Sequence, residues 1–201
     1  MAQDKRRRHS AGPRKGDLRE QSILDVTERL LDEQGFDATT LTDIARAAEL
    51  SRGAMYFYVE SKHDAVVAVV ARAVEDLRDK SRAAAGDPAD PRDAIATTMN
   101  RTRDIWRDHG VVMRVAIDQA ATVPRIDELW TETADIFTDA IATILRRAGA
   151  DPGPHGFSAT SRSLCWMIER SFYQASRESP AALDAATDTC RDLWLRIAGL
   201  T

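Results

Sequence analysis

One short stretch of the chain brings together side chains that could hold a phosphate or read the edge of a base. Arg52 carries a guanidinium that can bond a guanine bidentately, and the hydroxyl of Tyr56 can donate to a phosphate oxygen. Gly53 has no side chain and would let a groove approach closely. Phe57 follows Tyr56, and Lys62 adds an ammonium at the start of the next helix. This pattern predicts contacts to double-stranded DNA.

Short helices must hold these side chains in place, and the capping residues that would begin them are present. Thr40, with Asp43 three residues on, is typical of a helix N-cap, and Ser51 and Ser61 are predicted to cap the next two helices. The hydroxyls of Thr40 and Thr42 could also reach phosphates from the first of these helices. A short helix, a tight turn and a second, exposed helix form a helix-turn-helix, whose second helix can lie in a major groove.

The same stretch resembles the DNA-binding signature of TetR-type transcriptional regulators. The residues that carry the resemblance are Leu50, Ser51, Arg52, Gly53, Ala54, Met55, Tyr56, Phe57, Tyr58, Ser61, Lys62 and Val66. It covers roughly residues 19–70 and implies a DNA-binding regulator in which Tyr56 and Lys62 contact phosphates.

Two positions depart from the family's usual pattern. Glu49 stands in the turn where the family usually has glycine. A residue other than glycine in a left-handed conformation costs on the order of 1 kcal/mol, so the turn need not be built in the same way. Val59 stands where the family usually has phenylalanine, which indicates a slightly smaller core.

The composition is that of an ordinary globular protein, with 43% hydrophobic and 30% charged residues among 201. The net charge of −4 argues against coating nucleic acid everywhere and leaves room for a local basic face. Cys165 and Cys190 lie in apolar helical stretches, which predicts buried free thiols. No apolar run reaches the ~18 residues that span a membrane, and no secretion signal is visible. We therefore expect a cytoplasmic protein with no membrane partner.

The sequence contains no motif that indicates catalysis. Glu60 and His63 form a Glu-x-x-His pair, but a di-iron bundle needs a second such pair, and His9, His109 and His155 have no glutamate three residues before them. Hydrolase, phosphate-loop and zinc-protease motifs are missing as well. We expect no catalytic residue, no metal and no cofactor, and therefore no enzyme.

Helical periodicity along the whole chain predicts an all-α protein of about nine helices in three segments. Residues 1–16, with six basic residues and one acidic, are interpreted as a disordered arm that is either a solvated tail or an additional DNA contact. Residues 17–62 form the three-helix DNA-binding domain. Residues 63–201 form a larger helical domain for ligand binding and dimerisation, with a helix break near His109.

Large side chains in the second half of the chain allow two interpretations, a plain core or an apolar ligand cavity. The candidate ligand-binding residues are Trp106, Met113, Ile117, Trp130, Phe137, Trp166, Glu169, Phe172 and Tyr173. Glu169 favours the cavity because a charge inside an apolar helix needs a partner. Residues 128–130 and 166–172 also resemble helices of one ligand-binding regulator in the TetR family, which implies a narrow aromatic tunnel for an elongated apolar ligand.

The last two predicted helices are the natural surface for a second copy of the chain. The helix at 157–178 is apolar on nearly all sides and must be covered on all sides, so we expect a homodimer through a four-helix bundle. The function predicted is a ligand-responsive regulator, a repressor released from double-stranded operator DNA by a small hydrophobic effector. The alternative is a helical small-molecule-binding protein or enzyme without DNA binding.

Overall fold

The structure is a computed structural model that describes residues 15–86 and 90–200, and its regular elements there are all α-helices. In chain order they are α1 (Lys15–Ala38), α2 (Leu41–Ala47), α3 (Arg52–Met55), α4 (Lys62–Gly86), α5 (Pro91–Ala120), α6 (Pro124–Arg147), α7 (Gly156–Glu178) and α8 (Pro180–Ile197). The prediction of an all-α fold is confirmed.

Two of the predicted helices form a single element, which is why the described residues contain eight helices and not about nine. The helices predicted on either side of the break near His109 are joined in α5, which is kinked at His109 with φ −124° and ψ 22°. In α1, the helical geometry is interrupted at Gly35 with φ 80°. The kink at His109 lies where the sequence predicted a break.

Contacts along the chain divide it within α4, between Val66 and Val67. We call the described residues before this point the N-terminal unit and those after it the C-terminal unit. The predicted boundary at residue 62 stays a prediction. Residues 1–14 of the predicted basic arm lie outside the described residues, and Lys15 and Gly16 belong to α1.

The N-terminal unit packs α1 against α2, and α2 against α3, around a small apolar core. The buried members of this core are Ile23, Ile44, Ala45, Ala48, Met55, Val59 and Ala65. Ala45 on α2 and Ala48 at its C-cap are small buried residues of this core. Val59 belongs to this core, as the sequence indicated.

The C-terminal unit is a helical bundle in which α5 contacts α6, α7 and α8, and α7 contacts both α6 and α8. Each helix contributes one apolar stripe, as α6 does with Ile126, Leu129, Ile141 and Leu145, all buried. In the described part of the chain, no helix is long and apolar enough to cross a membrane.

Candidate nucleic-acid interface and ligand cavity

The two short helices of the N-terminal unit begin at side-chain caps. Thr40 Oγ1 accepts a hydrogen bond from Asp43 N at 3.2 Å, and Asp43 Oδ2 accepts one from Thr40 N at 3.2 Å, which forms a capping box. The Thr40 hydroxyl also donates to the Asp43 carboxylate and holds the pKa of that carboxyl below its usual range. Ser51 Oγ accepts from Ala54 N at 3.1 Å and begins α3. Each such cap stabilises its helix by about 1 kcal/mol.

The turn between α2 and α3 keeps a left-handed residue even though that residue is not glycine. Glu49 has φ 55°, and it is the one non-glycine residue with positive φ among the described residues. Ala48 N donates to Ile44 O at 2.9 Å and Leu50 N to Ala45 O at 2.9 Å, so the turn closes the carbonyl end of α2. The left-handed turn is therefore built here with glutamate, at a strain of about 1 kcal/mol.

α3 is a single helical turn whose outer side is open to solvent. Arg52 lies within 3.4 Å of the Tyr56 hydroxyl through both Nε and Nη2, so the two polar groups form one surface patch. Phe57 is 88% exposed although it is aromatic. A Cβ added to Gly53 would meet no atom within 4 Å, so nothing inside the protein requires glycine there. Thr42 lies exposed on the preceding helix.

Lys62, the first residue of α4, already has a partner within the N-terminal unit. Its Nζ donates to Phe36 O at 2.9 Å and lies 4.2 Å from the centre of the Phe36 ring. Lys62 therefore holds the backbone after Gly35 in place. A phosphate that contacts Lys62 must share its ammonium group with the Phe36 carbonyl. The predicted DNA contacts of Thr40, Thr42, Arg52, Gly53, Tyr56, Phe57 and Lys62 stay predictions.

The C-terminal unit encloses an apolar cavity between α5, α6, α7 and α8. Its walls are formed by Thr98, Met99, Thr102, Trp106, Met113, Trp130, Thr133, Ala134, Phe137, Ile141, Cys165, Ile168, Glu169 and Trp194. The cavity volume is about 60 Å³, which indicates a narrow cavity.

Five of the nine candidate ligand residues line this cavity and four do not. Trp106, Met113, Trp130, Phe137 and Glu169 are in the wall. The others lie elsewhere: Ile117 packs at the edge of the core, Trp166 is 56% exposed, Phe172 is buried behind Trp106 with ring centres 6.4 Å apart, and Tyr173 donates its hydroxyl to Asp118 Oδ1 at 2.7 Å.

Sequence reasoning missed several wall residues, although part of the signal was visible. Thr98, Thr102 and Trp106 are four residues apart and therefore share one face of α5. Trp194 was not among the candidate ligand-binding residues, yet it is fully buried and lines the cavity. A stripe that faces a core and a stripe that faces a cavity have the same spacing.

Glu169 is a partly buried carboxyl group in the mostly apolar wall of the cavity. Its Oε2 accepts a hydrogen bond from Trp130 Nε1 at 2.9 Å, which is the one donor that the described residues give it. Burial raises the pKa of the Glu169 carboxyl, and the Trp130 bond and the charge of Arg170 oppose that rise only in part. The neighbouring Cys165 thiol has its pKa raised to about 11, mainly by burial and then by the charge of Glu169, so it is not a nucleophile.

The comparisons with known proteins agree with this arrangement. Residues 23–69 match the family of bacterial regulatory proteins named tetR. Over 196 residues, 94% of this chain and 90% of the relative, the chain is 29% identical to the HTH-type transcriptional regulator EthR of Mycolicibacterium smegmatis. Residues 23–69 therefore form a DNA-binding domain of the TetR type. The ligand-binding regulator that residues 128–130 and 166–172 resemble in sequence is the ethionamide-resistance repressor, EthR.

Solved structures of other proteins share the fold at low identity. The fatty acid degradation regulator FadR from Bacillus halodurans has a TM-score of 0.74 at 14% identity, covering 88% of this chain and 94% of its own. SmeT in complex with triclosan has a TM-score of 0.69 at 22% identity, covering 89% and 90%. With a TetR-type helix-turn-helix and a transcriptional regulator as a relative over most of its length, this chain is a DNA-binding transcriptional regulator. Among residues 15–86 and 90–200, no three His, Cys, Asp or Glu side chains are grouped to hold a metal ion.

Proposed function

We propose that this regulator is a repressor that binds a two-fold operator as a homodimer and is released by a small apolar effector bound in the cavity. The observation that carries the proposal is the surface of α3 and of the residues directly after it, where Arg52, Gly53 and Phe57 are exposed while the core of the N-terminal unit is complete without them. An exposed aromatic and an unneeded glycine are explained by an external partner with a groove.

The dimer would use the face of α7 and α8, and its two recognition helices would enter successive major grooves about 34–36 Å apart. The effector would act through α4, which runs from the helix-turn-helix into the C-terminal unit. It can release the operator only to the extent that it binds the released state more tightly. Such a regulator works in the cytoplasm, where its operator is.

The DNA part of the proposal is tested by selecting genomic fragments that the protein binds and then measuring three variants on the selected operator. We expect Arg52→Ala to weaken binding by about 1–3 kcal/mol and to relax base preference at one position. Tyr56→Phe and Lys62→Ala should weaken binding across sequences, and Lys62→Ala should lower the salt slope by about one phosphate.

Arg125→Ala is the matched control because Arg125 is exposed on α6, where it pairs with Glu128 at 2.9 Å. It should leave operator affinity unchanged. A thermal melt of Lys62→Ala separates lost phosphate contact from loss of the Phe36 bond. If the three variants bind like the parent protein, the recognition surface is wrongly assigned. If no fragment is bound but apolar ligands are, the protein is a helical ligand-binding protein without DNA binding.

A further inference from the structure

We infer that the cavity selects a lipophilic amine, with its ammonium against the Glu169 carboxylate and its hydrocarbon body along the aromatic wall. This inference rests on the proposed function, in which the cavity is the effector site. It adds the charge and the chemical class of the effector, which an apolar cavity alone does not specify.

The first argument is the incomplete neutralisation of Glu169. The carboxylate lies in a wall of mostly apolar side chains and receives one hydrogen bond, from Trp130 Nε1. The adjacent Arg170 is directed to another partner, since its guanidinium lies 4.8 Å from the centre of the Tyr173 ring. A partly buried charge with one neutral donor is costly until a cation arrives. An ammonium supplies both the opposite charge and further N–H donors.

The second argument is that the other polar groups of the wall offer lone pairs and no cation. The hydroxyls of three wall threonines donate to backbone carbonyls of their own helices: Thr98 to Ala94 O at 2.8 Å, Thr102 to Thr98 O at 2.9 Å and Thr133 to Leu129 O at 2.6 Å. Their protons are used, so the hydroxyls of Thr98 and Thr102 present acceptors, whereas Thr133 Oγ1 already accepts a hydrogen bond from Arg78 Nε at 3.0 Å. Among the described residues that line the cavity, none is a lysine or an arginine.

One donor in the wall is unused. Trp194 Nε1 is buried and has no hydrogen-bond partner among the described residues. It is a neutral indole N–H, which can serve an ether or carbonyl oxygen but cannot neutralise a carboxylate. A fatty acid would therefore bring a second negative charge next to Glu169 without finding a cation.

The third argument is the number of aromatic rings in the wall. Trp106, Trp130, Phe137 and Trp194 surround the same space as Glu169. The faces of aromatic rings attract a cation, and the attraction is stronger where water is excluded. They also cover a hydrocarbon chain, so one wall accommodates both parts of a lipophilic amine. The narrow enclosed volume favours a thin alkyl body over a fused ring system.

The test uses the full-length protein with its selected operator and three probes of equal chain length: octan-1-amine, octan-1-ol and octanoate. Binding is measured by calorimetry and by tryptophan emission, which reports on the cavity because three of the four tryptophans line it. Operator release is followed by the anisotropy of labelled DNA. We expect the amine to bind at least tenfold more tightly than the alcohol, and octanoate to bind most weakly.

Glu169→Gln should weaken amine binding at least tenfold and leave alcohol binding unchanged, because the amide keeps the shape and removes the charge. Glu178→Gln is the matched control, since Glu178 is exposed at the end of the same helix. If the alcohol or octanoate releases the operator as well as the amine does, or Glu169→Gln binds the amine like the parent, the amine inference is overturned while the proposed effector site stands. If none of the probes binds or releases DNA, the cavity is not an effector site and both fail.

Discussion

Gly53 occupies the second position of α3, where an added Cβ would meet no other atom within 4 Å. Alanine should therefore fit in the free protein, and Gly53→Ala should raise the free energy of unfolding by about 0.5–1 kcal/mol. The same methyl group would stand between the recognition turn and the groove. We expect operator affinity to fall in spite of the higher stability, as measured by denaturant melts and DNA binding.

Gly16→Ala provides the matched control for this prediction. Gly16 lies in α1 with equally open space around it, so alanine should stabilise the fold to a similar extent and leave operator binding unchanged. Stability and affinity that rise together in Gly53→Ala would show that Gly53 does not face DNA.

Single residues also mark how far the sequence could predict the site. The short helices that carry the polar side chains could be predicted because caps and turns are local signals, formed by residues within four positions of one another. The positive φ of Glu49 could not be predicted, because closure of the turn overrides the preference of a single residue for negative φ. Glu169 was found because its charge interrupts an apolar helix, but its Trp130 partner is 39 residues away along the chain.

At the scale of helices, the sequence predicted where each helix lies along the chain. It predicted only in part which side of each helix faces the cavity. Apolar periodicity locates a buried stripe but does not tell a core from a cavity wall. Of the four candidates outside the cavity, Trp166 and Tyr173 are rotated about α7 from the wall residue Cys165. Phe172 and Ile117 share a helix face with the wall residues Glu169 and Met113 but lie about one turn further along α7 and α5. Which residues reach the cavity is set by packing of α5, α6, α7 and α8 against one another, which no local pattern encodes.

One contact between helices links the cavity wall to α4. Arg78 Nε donates to Thr133 Oγ1 at 3.0 Å, and Arg78 Nη2 donates to Leu129 O at 3.1 Å and to Glu132 Oε2 at 3.0 Å. Thr133 is a wall residue, so a ligand that moves α6 also moves the guanidinium and its helix. The predicted role of Arg78 is to couple the effector to α4.

Arg78→Ala should leave operator binding without effector largely intact and should raise the effector concentration for half-release several-fold. It should also lower the free energy of unfolding by about 1–3 kcal/mol, because charge-assisted hydrogen bonds are lost. Arg162→Ala is the control: it removes a guanidinium bond of 2.7 Å from α7 to Asp135 on α6 and does not involve α4. Equal effector sensitivity in Arg78→Ala and the parent, with ligand binding retained, would exclude the coupling role.

At the scale of the whole molecule, the C-terminal unit leaves apolar surface uncovered on α7 and α8. Trp166 is 56% exposed, and Leu193 and Ile197, one turn apart on α8, are 38% and 37% exposed. A depression of about 360 Å³ beside them is lined in part by Met167 and Ile197. Exposed apolar side chains and a depression on the same face are suited to an isologous contact, in which the side chains of each copy pack into the depression of the other.

We therefore expect a homodimer, and we expect a charged side chain introduced on this face to disrupt it. Leu193→Glu should convert the dimer into a folded monomer, because each copy would bury a carboxylate against the apolar surface of the other. Leu18→Glu, at a leucine 52% exposed on α1, makes the same change outside this face and should leave the dimer intact. Sedimentation velocity at micromolar concentration distinguishes the two states, and circular dichroism checks that both variants fold.

The monomer should also bind the operator far more weakly, since one half-site contact no longer raises the effective concentration of the second. A Leu193→Glu variant that stays dimeric and binds the operator like the parent would place the interface on another surface.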